Sequence, residues 1–336
     1  MTYIAPMKRV FLTGVSGLVG SFLLRQLYAE GFHIQALVRK NSQKQLFADL
    51  PDQSRLTWIE GDLSDVSLLA QSVSGCDWVV HSAALVSFAP RDRQAMFEVN
   101  VQGTANLVNV CLEQPSLQKF CFVSSVAALG PPPENAHLID EQNKWDDNQP
   151  ASAYAQSKYL AELEVWRASA EGLPVVIVNP AFVIGPGDWS RSSTQVFSYV
   201  RRFGTFYTDG YINYVDVRDV ARLTYLLLME PGLVAERFIL CAGQVSYFEL
   251  FSAIAQHYGQ RTPSIRIPTF VLQTLAPFSQ FWAWLTGNKP LISQEMAAIA
   301  QKASGFSNQK ITKQYPANFI DWQDSVAWTC QNLMKK

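Results

Sequence analysis

Short apolar runs rich in β-branched and aromatic residues alternate, through the first half of the chain, with longer stretches of helical period. Lys8–Thr13, His33–Val38, Leu56–Glu60, Trp78–Ser82, Lys119–Ser124 and Leu173–Asn179 are apolar on both faces in places, which predicts strands. Between them Leu18–Glu30, Ser64–Val73, Arg93–Glu113 and Ala153–Ala170 carry the three-to-four-residue repeat of helices. Strands buried on both faces and separated by helices predict an α/β fold with a doubly wound parallel sheet of right-handed βαβ units. After Pro180 turn residues accumulate (Gly185-Pro186-Gly187-Asp188), and helices at Thr194–Phe203, Asp219–Met229 and Tyr247–Tyr258 are joined by irregular pieces. This pattern divides the chain into a sheet domain, 1–180, and a smaller, mostly helical lobe, 181–336, partly interleaved with it and facing the substrate.

Composition narrows the classes. Of 336 residues 48% are hydrophobic and only 16% charged, which excludes a disordered chain. Twenty-seven Lys and Arg against 28 Asp and Glu leave no basic excess for phosphate backbones, so no nucleic-acid partner is expected. Cys76, Cys111, Cys121, Cys241 and Cys330 are odd in number and form no CxxC pair. Reduced thiols in a cytoplasmic protein are the expectation, with no disulfide framework and no metal site. Residues 1–7 are too short for an export signal. Ile267–Asn288 is free of charge but broken by Pro268, Pro277 and several polar residues, so it predicts a buried helix or pocket wall rather than a transmembrane span.

The first strand runs into Thr13-Gly14-Val15-Ser16-Gly17-Leu18-Val19-Gly20 and then a helix. A sharp turn, close approach of backbone to a pyrophosphate and tight helix–strand packing all demand small residues here, and the helix N-terminus offers open N–H groups. The spacing is GxxGxxG rather than GxGxxG. Where an NAD site places an acid after the second strand, this chain has Arg39-Lys40. A carboxylate would repel a 2′-phosphate and a guanidinium would pair with it, which predicts NADP(H) over NAD(H). Asp62 after the third strand is placed either to accept from an adenine amine or to cap the next helix.

Tyr154 and Lys158 stand four apart on a predicted helix, hence on one face, downstream of a strand ending in Ser124-Ser125. With Thr13-Gly14-x-x-Gly17-x-x-Gly20, His81-Ser82-Ala83-Ala84, Asn100-Val101-x-Gly103-Thr104 and Tyr214-Val215-Asp216-Val217-x-Asp219-Val220-Ala221, this order resembles the extended short-chain dehydrogenase/reductase superfamily, also described as the NAD(P)-dependent epimerase/dehydratase family. The likeness runs from about residue 8 to 221. It is greatest to the dihydroflavonol-reductase and 3β-hydroxysteroid-dehydrogenase branch, which Gly287-x-Lys289-Pro290 also suits.

The resemblance implies a Rossmann-type sheet and a set of roles. Tyr154 is the general acid toward a carbonyl oxygen, Lys158 lowers its pKa and holds the nicotinamide ribose, Ser125 polarises the carbonyl, and Asn100 supports them. The cofactor is assigned to Thr13, Gly14, Ser16, Gly17, Leu18, Val19, Gly20, Arg39, Lys40, Asp62, Leu63, Ser82, Ala83, Ala84, Tyr154, Lys158, Pro180 and Val183. Substrate is expected near Ser87, Phe88, Phe182, Val183, Trp189 and Tyr211. Sugar-nucleotide 4,6-dehydratases carry an Asp-Glu pair where this chain has Val126 and Ala127, which move no proton. Asn179-Pro180 replaces the Arg-Pro of many relatives. The expectation is an NADPH-dependent reductase of a carbonyl on a fairly apolar small molecule, acting as a homodimer. The alternatives are an NAD-dependent nucleotide-sugar epimerase and a non-catalytic protein that kept the fold.

Overall fold

The computed structural model describes residues 8–40, 42, 47, 50, 52–132, 138–148, 151–188, 192–268, 271, 304–315 and 318–333. Trp189, the Gly287/Lys289/Pro290 motif and nearly all of the charge-free stretch 267–288 lie outside these residues. In chain order the first half runs β1 (Arg9–Thr13), α1 (Leu18–Ala29), β2 (His33–Val38), β3 (Leu56–Glu60), α2 (Val66–Val73), β4 (Trp78–His81), α3 (Arg93–Phe97), α4 (Gly103–Leu112), β5 (Lys119–Val123), β6 (Leu138–Ile139), α5 (Ala153–Ala170) and β7 (Val175–Pro180). There follow β8 (Phe182–Ile184), α6 (Gln195–Phe203), β9 (Phe206–Thr208), β10 (Tyr211–Asp216), α7 (Val217–Met229), β11 (Glu236–Leu240), β12 (Gly243–Ser246), α8 (Tyr247–His257), β13 (Ile265–Ile267), β14 (Gly305–Phe306), α9 (Gln309–Gln314) and α10 (Trp322–Leu333).

Seven strands form one parallel sheet in the order β11-β7-β5-β4-β1-β2-β3. Alternate residues of each strand enter opposite cores. Val10 and Leu12 of β1 pack with α1 and α7, whereas Phe11 packs with α2, α4 and α5. In β5, Cys121 and Val123 likewise face one core and Phe120 and Phe122 the other. Burying each such side chain is worth roughly 1.5–3 kcal/mol. A one-residue slip would exchange the two faces of a strand, so register is strongly specified. Strand order reverses between β1 and β4, and the crevice beyond their carboxyl ends is where open α/β sheets bind ligands.

The later part of the chain is richer in strands than its pattern predicts. The expected helices are present, but the pieces between them include β8, β10 and β12, which form a three-stranded sheet in the order β12-β10-β8. β11 returns to the large sheet and pairs with β7. Ile184, Phe197, Tyr214, Val245, Leu250, Ile254, Val326 and Leu333 make this lobe's own core, which α10 closes. Asp216 joins the two parts. It is fully buried, caps α7 through the Arg218 amide, pairs with the Arg218 guanidinium at 2.7 Å and accepts from the Ser325 hydroxyl of α10 at 2.6 Å.

The single helix expected over Arg93–Glu113 is broken. Glu98–Gln102 forms a π-helical turn between α3 and α4. Inside it the Thr104 hydroxyl donates to the Asn100 carbonyl at 2.6 Å, and Gly103 allows close packing, since a Cβ there would stand 2.9 Å from Leu63 Cβ. Such turns are frequent at functional sites.

Candidate active site

The turn after β1 is shaped by three glycines. Gly14 has φ +76°, and a Cβ on it would lie 2.5 Å from the Ala83 nitrogen, where the chain leaves β4. A Cβ on Gly20 would stand 2.1 Å from the Gly14 carbonyl oxygen. Both are contacts with rigid backbone, so no larger residue fits either position. Gly17 is the N-cap of α1, with no side-chain cap and no acid in the first turn. By contrast α2, α5, α7 and α8 are capped by Asp65, Ser152, Asp216 and Ser246. The open N–H groups and positive dipole end of α1 therefore fit an anionic pyrophosphate. Thr13, Ser16, Leu18 and Val19 belong to the same turn, and Leu18 packs beneath the loop at Gly185 and Gly187.

A buried relay ties this turn to its neighbours. Thr13 Oγ1 accepts from the Ala83 amide at 3.2 Å and contacts His81 Nδ1 at 2.7 Å. His81 Nε2 meets Thr104 Oγ1 at 3.0 Å, whose proton is committed to Asn100 O. This arrangement assigns the proton to Nε2 of a neutral ring and makes Thr13 the donor to Nδ1. Burial, aided by the nearby Lys158 charge, pushes His81 down to about 3. Ser82, Ala83 and Ala84 follow directly.

At the end of β2, Arg39 and Lys40 are exposed, and among the described residues the Arg39 guanidinium has no partner. Asp62 is exposed as well and accepts from the Ser64 amide at 3.1 Å. It does not cap α2: Asp65, one turn later, does so by accepting from Leu68 N. Leu63 is buried beneath Gly103, and its carbonyl accepts from Asn106.

Ser152 caps α5 and so starts the helix two residues before Tyr154. Tyr154, Lys158 and Glu162 follow on one face at intervals of four. The Tyr154 phenol lies beside the Ser125 side chain; burial raises the phenol and Ser125 opposes that rise. Lys158 is 2% exposed; its Nζ donates to Val123 O at 2.8 Å and sits 4.4 Å from the Phe122 ring centre. Burial brings it down to about 7, with Glu162 acting in the opposite direction. Burial is the largest influence on the phenol, and in this geometry the Lys158 ammonium is turned to a backbone carbonyl.

Ser125 caps the short turn Val126–Ala128, with Oγ accepting from Ala127 N at 3.1 Å. Ser124 points the other way, donating to Glu162 Oε2 at 2.7 Å. Asn100 touches neither Tyr154 nor Lys158 through a hydrogen bond. Its amide bonds Leu85 N, Leu85 O and Ser157 Oγ, which fastens the chain beyond β4 to α5. The loop carries Ser87, Phe88, Ala89 and Pro90, which with Arg93 and Ala153 line a cleft of about 120 Å³. The Phe88 ring lies edge-on to Tyr154 at 6.1 Å. Phe182 and Val183 are half-buried on β8, Pro180 is buried at the end of β7, and Tyr211 is exposed at the start of β10, outside that cleft's lining.

Glu162, Asn179, Glu141 and Arg237 were not anticipated as parts of the site. The first had a signal, the continuation of the Tyr154–Lys158 interval by four more residues. The others come together only through β7, β11 and the loop after β6. Among the described residues no group of three or more His, Cys, Asp and Glu could hold a metal ion, and no helix is long and apolar enough to cross a membrane.

Residues 10–240 match the model of the NAD dependent epimerase/dehydratase family. The chain is 32% identical, over 95% of its length and 96% of the relative's, to a Synechocystis protein provisionally named a dihydroflavonol 4-reductase. It is 30% identical to cinnamoyl-CoA reductase 1 of Petunia hybrida, covering 70% of this chain and 73% of that one. Among solved structures, that of gox2253 superposes with a TM-score of 0.82 at 30% identity, covering 98% of both chains. The UDP-glucose 4-epimerase of Thermotoga maritima shares the fold with a TM-score of 0.77 at 17% identity, over 97% of this chain and 99% of its own.

Proposed function

The chain belongs to the NAD dependent epimerase/dehydratase family, within the extended short-chain dehydrogenases/reductases, and is an NAD(P)-dependent oxidoreductase; from that premise we propose that it reduces an aldehyde or ketone of a fairly apolar small molecule with NADPH. The observation that carries the reading is the meeting of Ser125 and Tyr154 beside a cleft walled by Phe88, Ala89, Pro90 and Ala153. Relatives named as reductases of dihydroflavonol and cinnamoyl-CoA support it.

The turn Thr13–Gly20 would hold the pyrophosphate, with Ser82–Ala84, Asp62–Leu63, Pro180 and Val183 along the rest of the cofactor. When bound, the nicotinamide supplies the hydride. The chain's own residues do the remainder. The Ser125 hydroxyl donates to the carbonyl oxygen and Tyr154 delivers a proton to it. A phenol raised by burial stays protonated at neutral pH, as a general acid must. Lys158 stands one turn away to stabilise the phenolate left behind and to hold the ribose. Asn100 is a positioning residue, acting through Leu85 and Ser157.

Arg39, exposed and unpartnered among the described residues, supports NADPH over NADH, since it presents a fork of donors to a 2′-phosphate. The segment after residue 180 is read as the substrate side, the assembly as a homodimer through α4 and α5, and the compartment as the cytoplasm. The test is NADPH and NADH consumption with a panel of aromatic and aliphatic carbonyls, together with both dissociation constants. Turnover with NADPH is the expected result. A protein that binds cofactor and reduces none of the panel, or that retains NAD+ and binds a UDP-sugar, would move the reading to an epimerase.

A further inference from the structure

Glu162 is 2% exposed, yet both of its carboxylate oxygens are fully engaged. Oε2 accepts from Ser124 Oγ at 2.7 Å and from Asn179 Nδ2 at 2.9 Å. Oε1 accepts from Arg237 Nη1 at 3.1 Å and from Trp166 Nε1 at 3.3 Å. Arg237 comes from β11, and its remaining donors go to Glu141 O at 2.7 Å and Asn143 O at 2.9 Å. The Glu141 carboxylate returns to β11 by accepting from Ile239 N. Three strands distant in sequence, β5, β7 and β11, therefore converge on one buried carboxylate, and the loop after β6 holds the arginine that pairs with it.

Such an ion pair is a poor way to gain stability alone, because desolvating two charges costs several kcal/mol and an apolar replacement is often as stable. Its position suggests another use. Asn179 Nδ2 bridges Glu162 Oε2 and Ser125 O, the latter at 3.0 Å, so the carboxylate reaches the backbone that carries Ser125. The same carboxylate stands one helical turn beyond Lys158. Around Lys158, β4 presents His81, held neutral; β5 presents the Val123 carbonyl and the Phe122 ring; and α5 itself presents Tyr154 and Glu162. Arg237 lies beyond Glu162. Glu162 is the one carboxylate in this set.

We propose that Glu162, held by Arg237, is a positioning residue of the reaction centre: it clamps the Ser124–Ser125 strand end through Asn179 and supplies the counter-charge of the Lys158 ammonium. This rests on the reading of Tyr154 and Lys158 as the reacting pair. Burial has already drawn Lys158 down to about 7, and the charge resisting it is Glu162, so its loss would deprotonate the lysine at still lower pH.

The test uses the full chain with Glu162→Gln, Arg237→Met and the double variant, the last avoiding an unpaired buried guanidinium if the single change unfolds the protein. Two readouts are taken: the pH dependence of kcat for NADPH-driven carbonyl reduction, and that of the NADPH dissociation constant, which needs no turnover. In Glu162→Gln and the double variant, the pH at which NADPH binding and kcat weaken should fall by about one unit, with kcat near pH 8 down about tenfold and KM for the carbonyl within about threefold. Arg237→Met, which keeps the carboxylate, should move that midpoint by less than about half as much. A folded double variant with a midpoint superposable on the wild type would overturn the proposal. So would loss of fold in both Glu162 variants, which would make the residue structural only. If the wild type binds NADPH and reduces no carbonyl, the functional reading fails, while the binding midpoint still decides the role of Glu162.

Discussion

His81 makes the protein acid-sensitive at one identifiable place. Its ring is fully buried, hydrogen-bonded at both nitrogens and neutral, with a pKa pushed from an ordinary 6.5 down to about 3. Between those values the unfolded chain takes up a proton that the native one refuses. Stability is therefore complete above about pH 6.5 and declines as pH falls toward the folded value near 3. At pH 5 the unfolded histidine gains about 1.5 units of proton binding free energy, or about 2 kcal/mol at 1.36 kcal/mol per unit. That is a large part of an ordinary domain's 5–15 kcal/mol. Urea unfolding followed by circular dichroism, at about pH 7.5 and about pH 5, should show the wild type losing about 2 kcal/mol more than His81→Gln over that interval. Other carboxylates and histidines titrate in both proteins and cancel in the difference. Equal losses in the two, within about 0.5 kcal/mol, would refute the reasoning. Because His81 holds Thr13, and Thr13 holds Ala83 against Gly14, NADPH affinity should weaken along with stability.

Three further outcomes are expected. Gly20→Ala puts a methyl 2.1 Å from the Gly14 carbonyl oxygen, so NADPH binding measured by fluorescence should fall at least about a hundredfold, or the protein should fail to fold; binding within about threefold of wild type would contradict the packing argument. Tyr154→Phe removes the proton donor but leaves the ring against Phe88, so kcat should drop by about 10²–10⁴ while the NADPH dissociation constant changes little. The five cysteines are all buried, and burial pushes Cys76 and Cys121 up to about 12 and Cys241 and Cys330 up to about 11. An aromatic disulfide reagent at neutral pH should therefore titrate none of them in the folded protein and all five in denaturant.

Local pattern carried far in the sheet domain because each of its rules acts within a few residues. The alternation of Val10, Phe11 and Leu12 reports two buried faces, the small residues of the turn report a close backbone approach, and Tyr154 and Lys158 share a face through helix geometry alone. β2, β3 and α5 begin and end where the pattern predicts. The π-turn at Glu98–Gln102 was not legible. It arises where Thr104 takes the Asn100 carbonyl and Gly103 settles on Leu63, a contact between segments forty residues apart. The sequence offers Asp62 as a cap for the next helix, but α2 starts at Val66 and Asp65 caps it.

The chain by itself therefore determined the parallel sheet, the cofactor turn with its uncapped helix and the Tyr154/Lys158 face, since these rest on side-chain period and backbone sterics. The resemblance assigns Ser125 rather than Ser124, and tertiary structure supplies the physical reason, because β5 ends where Ser124 is drawn to Glu162 and Ser125 is left beside the phenol. Tertiary structure alone decided that Lys158 is dry enough to fall to about 7 and that an arginine from β11 neutralises the carboxylate behind it. Desolvation and pairing depend on groups brought in from across the sheet, and no spacing along one strand or helix records them.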